Sequence, residues 1–215
     1  MDREAAGHEP DPGPQRTPLW LSAAAGVFVV VIGLVLAASV SRPEPPVYPL
    51  TRIEAREVPS GFAGPDTVTL DARDGTQWIH FDLGRRRIAS AGMPWDIGVK
   101  RYRLVINGGE GLAGGGGVSR VDSALSEVRD APAGGYRQSR ITPGGDTVSA
   151  ELDGWYAYSW FSHLLQPRPT TFVLRTHDGR YAKLAVLGYY CPGPEPGCLT
   201  IEYAYQGDGS RRLAP

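Results

Sequence analysis

Soft and metal-binding side chains are scarce in this chain: two cysteines, two methionines and four histidines in 215 residues. Cys191 and Cys198 stand in a C-x6-C spacing, which is neither a thioredoxin-type nor a cofactor-attachment spacing, and no second Cys/His pair lies nearby to complete a zinc site. An excess of either charge is also lacking, with 22 Lys+Arg against 23 Asp+Glu. No basic stripe points to nucleic acid, and no long acidic tract points to a disordered chain. G-x-S-x-G is absent, so no nucleophile elbow is expected. Ser162-His163 and His177-Asp178 are only sequence neighbours, and the carboxylates are scattered without acid/base spacing. The reading is non-enzymatic.

Against that sparse background one run stands out. Leu19 to Val40, LWLSAAAGVFVVVIGLVLAASV, carries no charge over 22 residues. As a helix it reaches roughly 33 Å, enough to cross a bilayer core. The alternative is a cleaved signal peptide, whose apolar region is usually about 7–15 residues. This run is longer and follows 18 mostly polar residues, so a retained single-pass transmembrane helix is expected. Ser22, Gly26 and Gly33 on it allow close approach of neighbouring helices. Arg3 and Arg16 on one flank and Arg42, Arg52 and Arg56 on the other do not decide orientation by charge counting. A long following domain translocates largely regardless of charge. The cysteines suit an oxidising compartment. The expected arrangement is a bacterial inner-membrane protein with a cytoplasmic N-terminus and a periplasmic main domain.

Residues 1–18 read as a disordered cytoplasmic tail, because they are polar and rich in Pro and Gly. Residues 41–50, SRPEPPVYPL, hold four prolines and read as a stiff spacer. The domain then runs over 51–215. High Gly and Pro with ten Tyr and five Trp favour short strands and turns. An all-β domain of antiparallel hairpins is therefore expected after the helix. Thr67–Arg73 and Thr76–Leu83 flank Asp74-Gly75, a strong hairpin signal. In the second of these strands Phe81 and Leu83 share one face, while Trp78 and His80 share the other. Lys100–Ile106 reads as one strand ended by Asn107-Gly108-Gly109. Thr170–Thr176 and Arg180–Tyr190 flank Asp178-Gly179, a second hairpin. Leu199–Tyr205 reads as the last strand.

Asn107–Gly117, NGGEGLAGGGG, lacks the Lys-Ser/Thr ending of a phosphate loop and reads as a flexible or ligand-approaching loop. Cys191 and Cys198 bracket a Pro/Gly-rich loop and are expected to form a disulfide, with a metal or redox pair as the alternative. His80 shares its strand face with Trp78, His163 ends the aromatic run Trp155–Phe161, and His177 flanks a turn. Neutral imidazole is a common axial haem ligand, and aromatic surroundings suit a flat porphyrin.

Three blocks resemble the HmuY family: WDIGVKRYRLVINGG (Trp95–Gly109), HLLQPRPTTFVLRTHDGRYAKLAVLGYY (His163–Tyr190) and EYAYQGDGSRRL (Glu202–Leu213). The resemblance spans roughly residues 65–213. It implies an all-β, non-enzymatic, outward-facing binding protein, with haem as cofactor held by two axial side chains. His163 lies in a matching block and is the leading haem and metal ligand candidate, followed by His80 and then His177. Met93 is the one methionine besides Met1 that can serve as a ligand. The helical anchor departs from the family, whose haem scavengers are usually lipid-anchored or secreted. A second reading follows from that departure. The chain would be a structural accessory subunit of a larger inner-membrane complex, photosynthetic (reaction centre or light-harvesting) or respiratory. Expected partners are the lipid bilayer and, on the second reading, other integral membrane subunits; no nucleic acid is expected.

Overall fold

The structure is a computed structural model that describes residues 19–40 and 44–215. The expectation of a disordered tail at 1–18, and the first three residues of the expected spacer at 41–50, fall outside the described residues. The chain divides into an N-terminal unit and a unit from Pro43 to Pro215. The first contains α1 (Leu19–Val40), a single helix. Its Trp20–Ala38 stretch is long and apolar enough to cross a membrane.

The second unit is built from short antiparallel strands. In chain order these are β1 (Phe62–Asp71), β2 (Ile79–Asp82), β3 (Arg87–Ala89), β4 (Ile97–Lys100), β5 (Arg103–Ile106), β6 (Gly117–Val121) and β7 (Arg140–Ile141). They continue with β8 (Thr147–Val148), β9 (Tyr156–Tyr158), β10 (Leu165–Pro167), β11 (Thr171–Arg175), β12 (Tyr181–Cys191) and β13 (Glu195–Gln206). The larger sheet has the order β1-β13-β12-β11-β6, and the smaller has β3-β2-β4-β5. Both turn apolar side chains into one core. Val68, Leu70, Phe172, Leu184, Ile201 and Tyr203 come from the larger sheet, and Phe81, Ile97, Val99, Leu104 and Ile106 from the smaller. Period-two alternation explains the choice on β2: Phe81 is buried while His80 faces the other way. Trp155 closes the core beneath a single 3-10 turn, its indole N–H donating to the Tyr102 carbonyl at 2.7 Å.

The hairpin expected at Asp74-Gly75 does not form. β1 pairs along its length with β13, Val68 opposite Ile201 and Leu70 opposite Leu199, while β2 pairs with β3 and β4. Asp74 instead accepts hydrogen bonds from the Thr76 amide and hydroxyl at 2.8 and 2.7 Å. That local turn passes the chain from one sheet to the other. Core burial of both flanking strands outweighs the local preference of Asp-Gly. Lys100–Ile106 is likewise not one strand but the reversal from β4 into β5, with Arg101 at φ +54°. That turn has no Asn-Gly or Asp-Gly to mark it.

The hairpin around Asp178-Gly179 forms as expected, between β11 and β12, and the last strand forms as β13. Val47, in the Pro-rich stretch, makes a parallel bridge with Tyr190. Thr51 exchanges backbone and side-chain bonds with Thr69. Cys191 and Cys198 are bonded to each other and both are buried, so no thiol is left for a metal. Closing so short a loop contributes about 2–3 kcal/mol on the chain-entropy view. Reduction with dithiothreitol should lower the urea-unfolding free energy by that amount without unfolding the domain; an unchanged midpoint would show that the bond constrains nothing.

Candidate functional site

A cleft of about 420 Å³ opens on the outer side of the smaller sheet, lined chiefly by His80, Met93, Trp95, Asn107, Gly114 and His177. His80 reaches it because β2 turns its even-numbered side chains away from the core. In register with His80 stands Gly98. A Cβ there would lie 2.8 Å from the Val105 side chain and within 3.4 Å of Trp78 and His80, so glycine leaves the room these rings need. The His80 ring stacks on Trp95 at 4.1 Å with 13° between planes. Half-burial pushes its pKa below the ordinary imidazole value, so the ring is neutral at neutral pH and has a lone pair to offer.

His177 arrives from the β11–β12 turn and is oriented by Asp96, which is buried immediately before β4. Asp96 Oδ1 accepts from the His177 Nδ1 at 2.7 Å and from its amide at 3.1 Å, while Oδ2 accepts from the Leu83 amide at 2.8 Å. The hydrogen bond to Asp96 raises the His177 pKa above the ordinary value, against the opposing pull of burial. It also commits Nδ1, so Nε2 is the nitrogen left for a ligand. A carboxylate behind an imidazole is the usual second partner of a metal-binding histidine.

The glycine-rich loop forms the third wall. Asn107 donates from Nδ2 to the Trp95 carbonyl at 2.9 Å and accepts at Oδ1 from the Gly114 amide at 3.0 Å. The Gly115 amide bonds the His177 carbonyl at 3.1 Å. A Cβ on Gly114 would fall 2.4 Å from the Asn107 carbonyl oxygen and 2.9 Å from the His177 Cβ. Glycine is therefore required by close approach. Of the two readings given to this loop, approach to a ligand fits the cleft it lines. Met93 stands at the rim, 44% exposed, with its thioether open to an occupant.

The three sequence-derived histidines do not converge. His80 and His177 line one cleft, whereas His163 is absent from its lining and sits between β9 and β10 bonded to the Tyr158 hydroxyl. Among the described residues no group of three or more His, Cys, Asp or Glu could hold a bare metal ion. The cleft offers instead a few nitrogen and sulfur donors beside a flat aromatic wall. Asp96 and Trp95, which hold the two cleft histidines, are missed by a reading of histidines alone; both lie in the Trp95–Gly109 block, where the pair Trp-Asp was the available signal.

The family model for the HmuY protein matches residues 74–203, more than half of the chain and all of the cleft's main residues. The chain belongs to the HmuY family. Its fold is shared by solved structures at low identity. A Bacteroides vulgatus protein described as HmuY-like and heme-binding is 20% identical, with TM-score 0.51 over 70% of this chain and 95% of that one. The apo HmuY analog of Tannerella forsythia is 16% identical, with TM-score 0.53 over 73% of this chain and 99% of that one. A Bacteroides fragilis protein described as a lipoprotein is 18% identical, with TM-score 0.55 over 72% and 97%. No curated protein matches the chain. The HmuY domain thus has the all-β fold expected from the sequence, and the family it belongs to includes a relative described as a binding protein.

Proposed function

We propose that this HmuY domain is a membrane-anchored, non-enzymatic haem carrier, and that haem enters the cleft between His80, Trp95 and His177. The observation that carries the reading is the Asp96–His177 pair: a buried carboxylate holds one ring nitrogen at 2.7 Å and leaves the other for iron. His80, kept neutral by burial, and the Met93 thioether are the candidates for the second side chain that would hold the iron. The Trp95 ring, stacked on His80, holds that imidazole in place at the cleft wall. The cleft's size fits a partly inserted flat ligand rather than an enclosed one. α1 is the anchor, with the N-terminus cytoplasmic and the domain on the periplasmic side of a bacterial inner membrane. Hemin titration of the full chain in mild detergent should give a saturable, one-to-one red-shifted Soret band. A spectrum equal to the sum of hemin and protein would overturn the proposal.

The second reading, an accessory subunit packed by α1 against other helices, draws on the exposure of apolar side chains along the helix from Trp20 to Ala38. The same mild-detergent preparation separates the two. A lone chain with a Soret band supports the carrier, whereas a stoichiometric set of membrane subunits supports the accessory role and assigns pigment to them.

A further inference from the structure

The most exposed aromatic side chains of the β domain lie together on one hairpin that the haem cleft does not use. Trp160 is 79% exposed and Phe161 69% at the tip between β9 and β10, with Tyr158 at 42% beside them. The tip is not a loose loop. The Ser159 amide bonds the Leu164 carbonyl at 2.9 Å, the His163 amide bonds the Ser159 carbonyl at 2.8 Å, and Tyr158 meets Trp160 edge-on. Below it Leu165 pairs with Tyr158 and Pro167 with Tyr156. No Asp, Glu, Lys or Arg occurs between Asp153 and Arg168, in a chain that is 21% charged. Water is a poor neighbour for two such rings, while the bilayer interface is the environment where Trp and other amphipathic rings concentrate.

The path of the chain from α1 into the domain points to the surface they meet. Val47 is bridged to Tyr190, and the Tyr190 hydroxyl accepts the Leu165 amide at 2.8 Å. The point where the chain enters the domain and the base of the aromatic hairpin therefore share one residue. From Val40, the last residue of α1, to Val47 the chain can reach at most about 24 Å. We propose that Trp160 and Phe161 insert into the interface of the bilayer that α1 crosses, giving the domain a second, non-covalent hold on the lipid. The proposal rests on the anchor reading of α1. It does not depend on which way the helix is oriented, because the tip and the tether are on the same side in either case.

The test uses the full chain in phosphatidylcholine vesicles with and without bromine on the acyl chains near the headgroup, a contact quencher of indole. Trp160 emission is read as wild type minus Trp160→Phe, and Trp20 emission as wild type minus Trp20→Phe. Both indoles should lose most of their emission in brominated lipid. Quenching of Trp20 with Trp160 unaffected overturns the tip contact and leaves the anchor standing. Quenching of neither overturns the anchor and the tip contact together. Trp160 projects outside the core, so the conservative exchange to Phe leaves the fold intact for the comparison.

Discussion

Replacing His177 with alanine should weaken hemin binding by at least about 100-fold and remove the red-shifted Soret band, while His163→Ala leaves both unchanged. Loss of a partner behind a ligating histidine alone costs about 10–100-fold in affinity, so loss of the ring itself sits at or beyond that range. The fold should survive, because the main-chain bonds of residue 177, its amide to Asp96 and its carbonyl from Gly115, do not need the ring. The pH dependence has two opposite signs. Iron needs a neutral Nε2, and the Asp96 hydrogen bond raises the His177 pKa. Haem affinity should therefore fall on acidification, beginning at higher pH than for an ordinary imidazole. In the haem-free protein the same raised pKa stabilises the fold. That contribution is fully present below about 6.5, the unfolded value, and is lost as pH rises through the folded value. Hemin titrations and urea unfolding of wild type and His177→Ala across this window measure both. A Soret band that persists in His177→Ala, or parallel pH trends, would sink the assignment.

Asp96→Ala should cost about 2–6 kcal/mol of stability, about 1–3 for each of the two backbone amides it leaves unpaired. Its carboxylate is buried and takes three hydrogen bonds, from the amides of Leu83 and His177 and from the His177 ring. Its own amide and carbonyl bond Phe81 and Asn107 at 2.9 and 2.8 Å. The residue thus ties β2 and β5 of the smaller sheet to the β11–β12 turn of the larger one. Alanine leaves two amides without a partner inside the protein, each costing about 1–3 kcal/mol. Asp96→Asn keeps one acceptor oxygen and should lose less. Urea unfolding followed by tryptophan emission gives both values. A loss under about 1 kcal/mol for alanine would mean that water reaches these groups and that the junction is not closed.

Features with a local signature were legible in the sequence. The apolar run became α1, Asp178-Gly179 became a hairpin, Cys191 and Cys198 found each other across a short loop, and the glycine-rich loop came to line a cleft. Features decided by distant partners were not. Asp74-Gly75 carries as good a turn signal as Asp178-Gly179, yet β1 is claimed by β13 more than a hundred residues later. His177 and Asp96 are 81 positions apart, so no spacing rule joins them. His163 drew attention through the aromatic residues before it, but Trp160 and Phe161 point outward at a tip instead of framing a pocket. The block from Trp95 to Gly109 held the remaining wall of the cleft, legible as family likeness rather than as geometry.

The pairing of β1 with β13, Phe62 opposite Gln206 and Asp71 opposite Cys198, also fixes when the domain can exist. β13 is the strand that both β1 and β12 need, and it is the last of the described strands in chain order. Until residues near 206 are available, the larger sheet lacks the member that holds its two halves together, and long-range pairing of this kind forms slowly. Over residues 62–194 the larger sheet is therefore two unjoined parts, β1 on one side and β12-β11-β6 on the other, and a single late strand closes both seams at once.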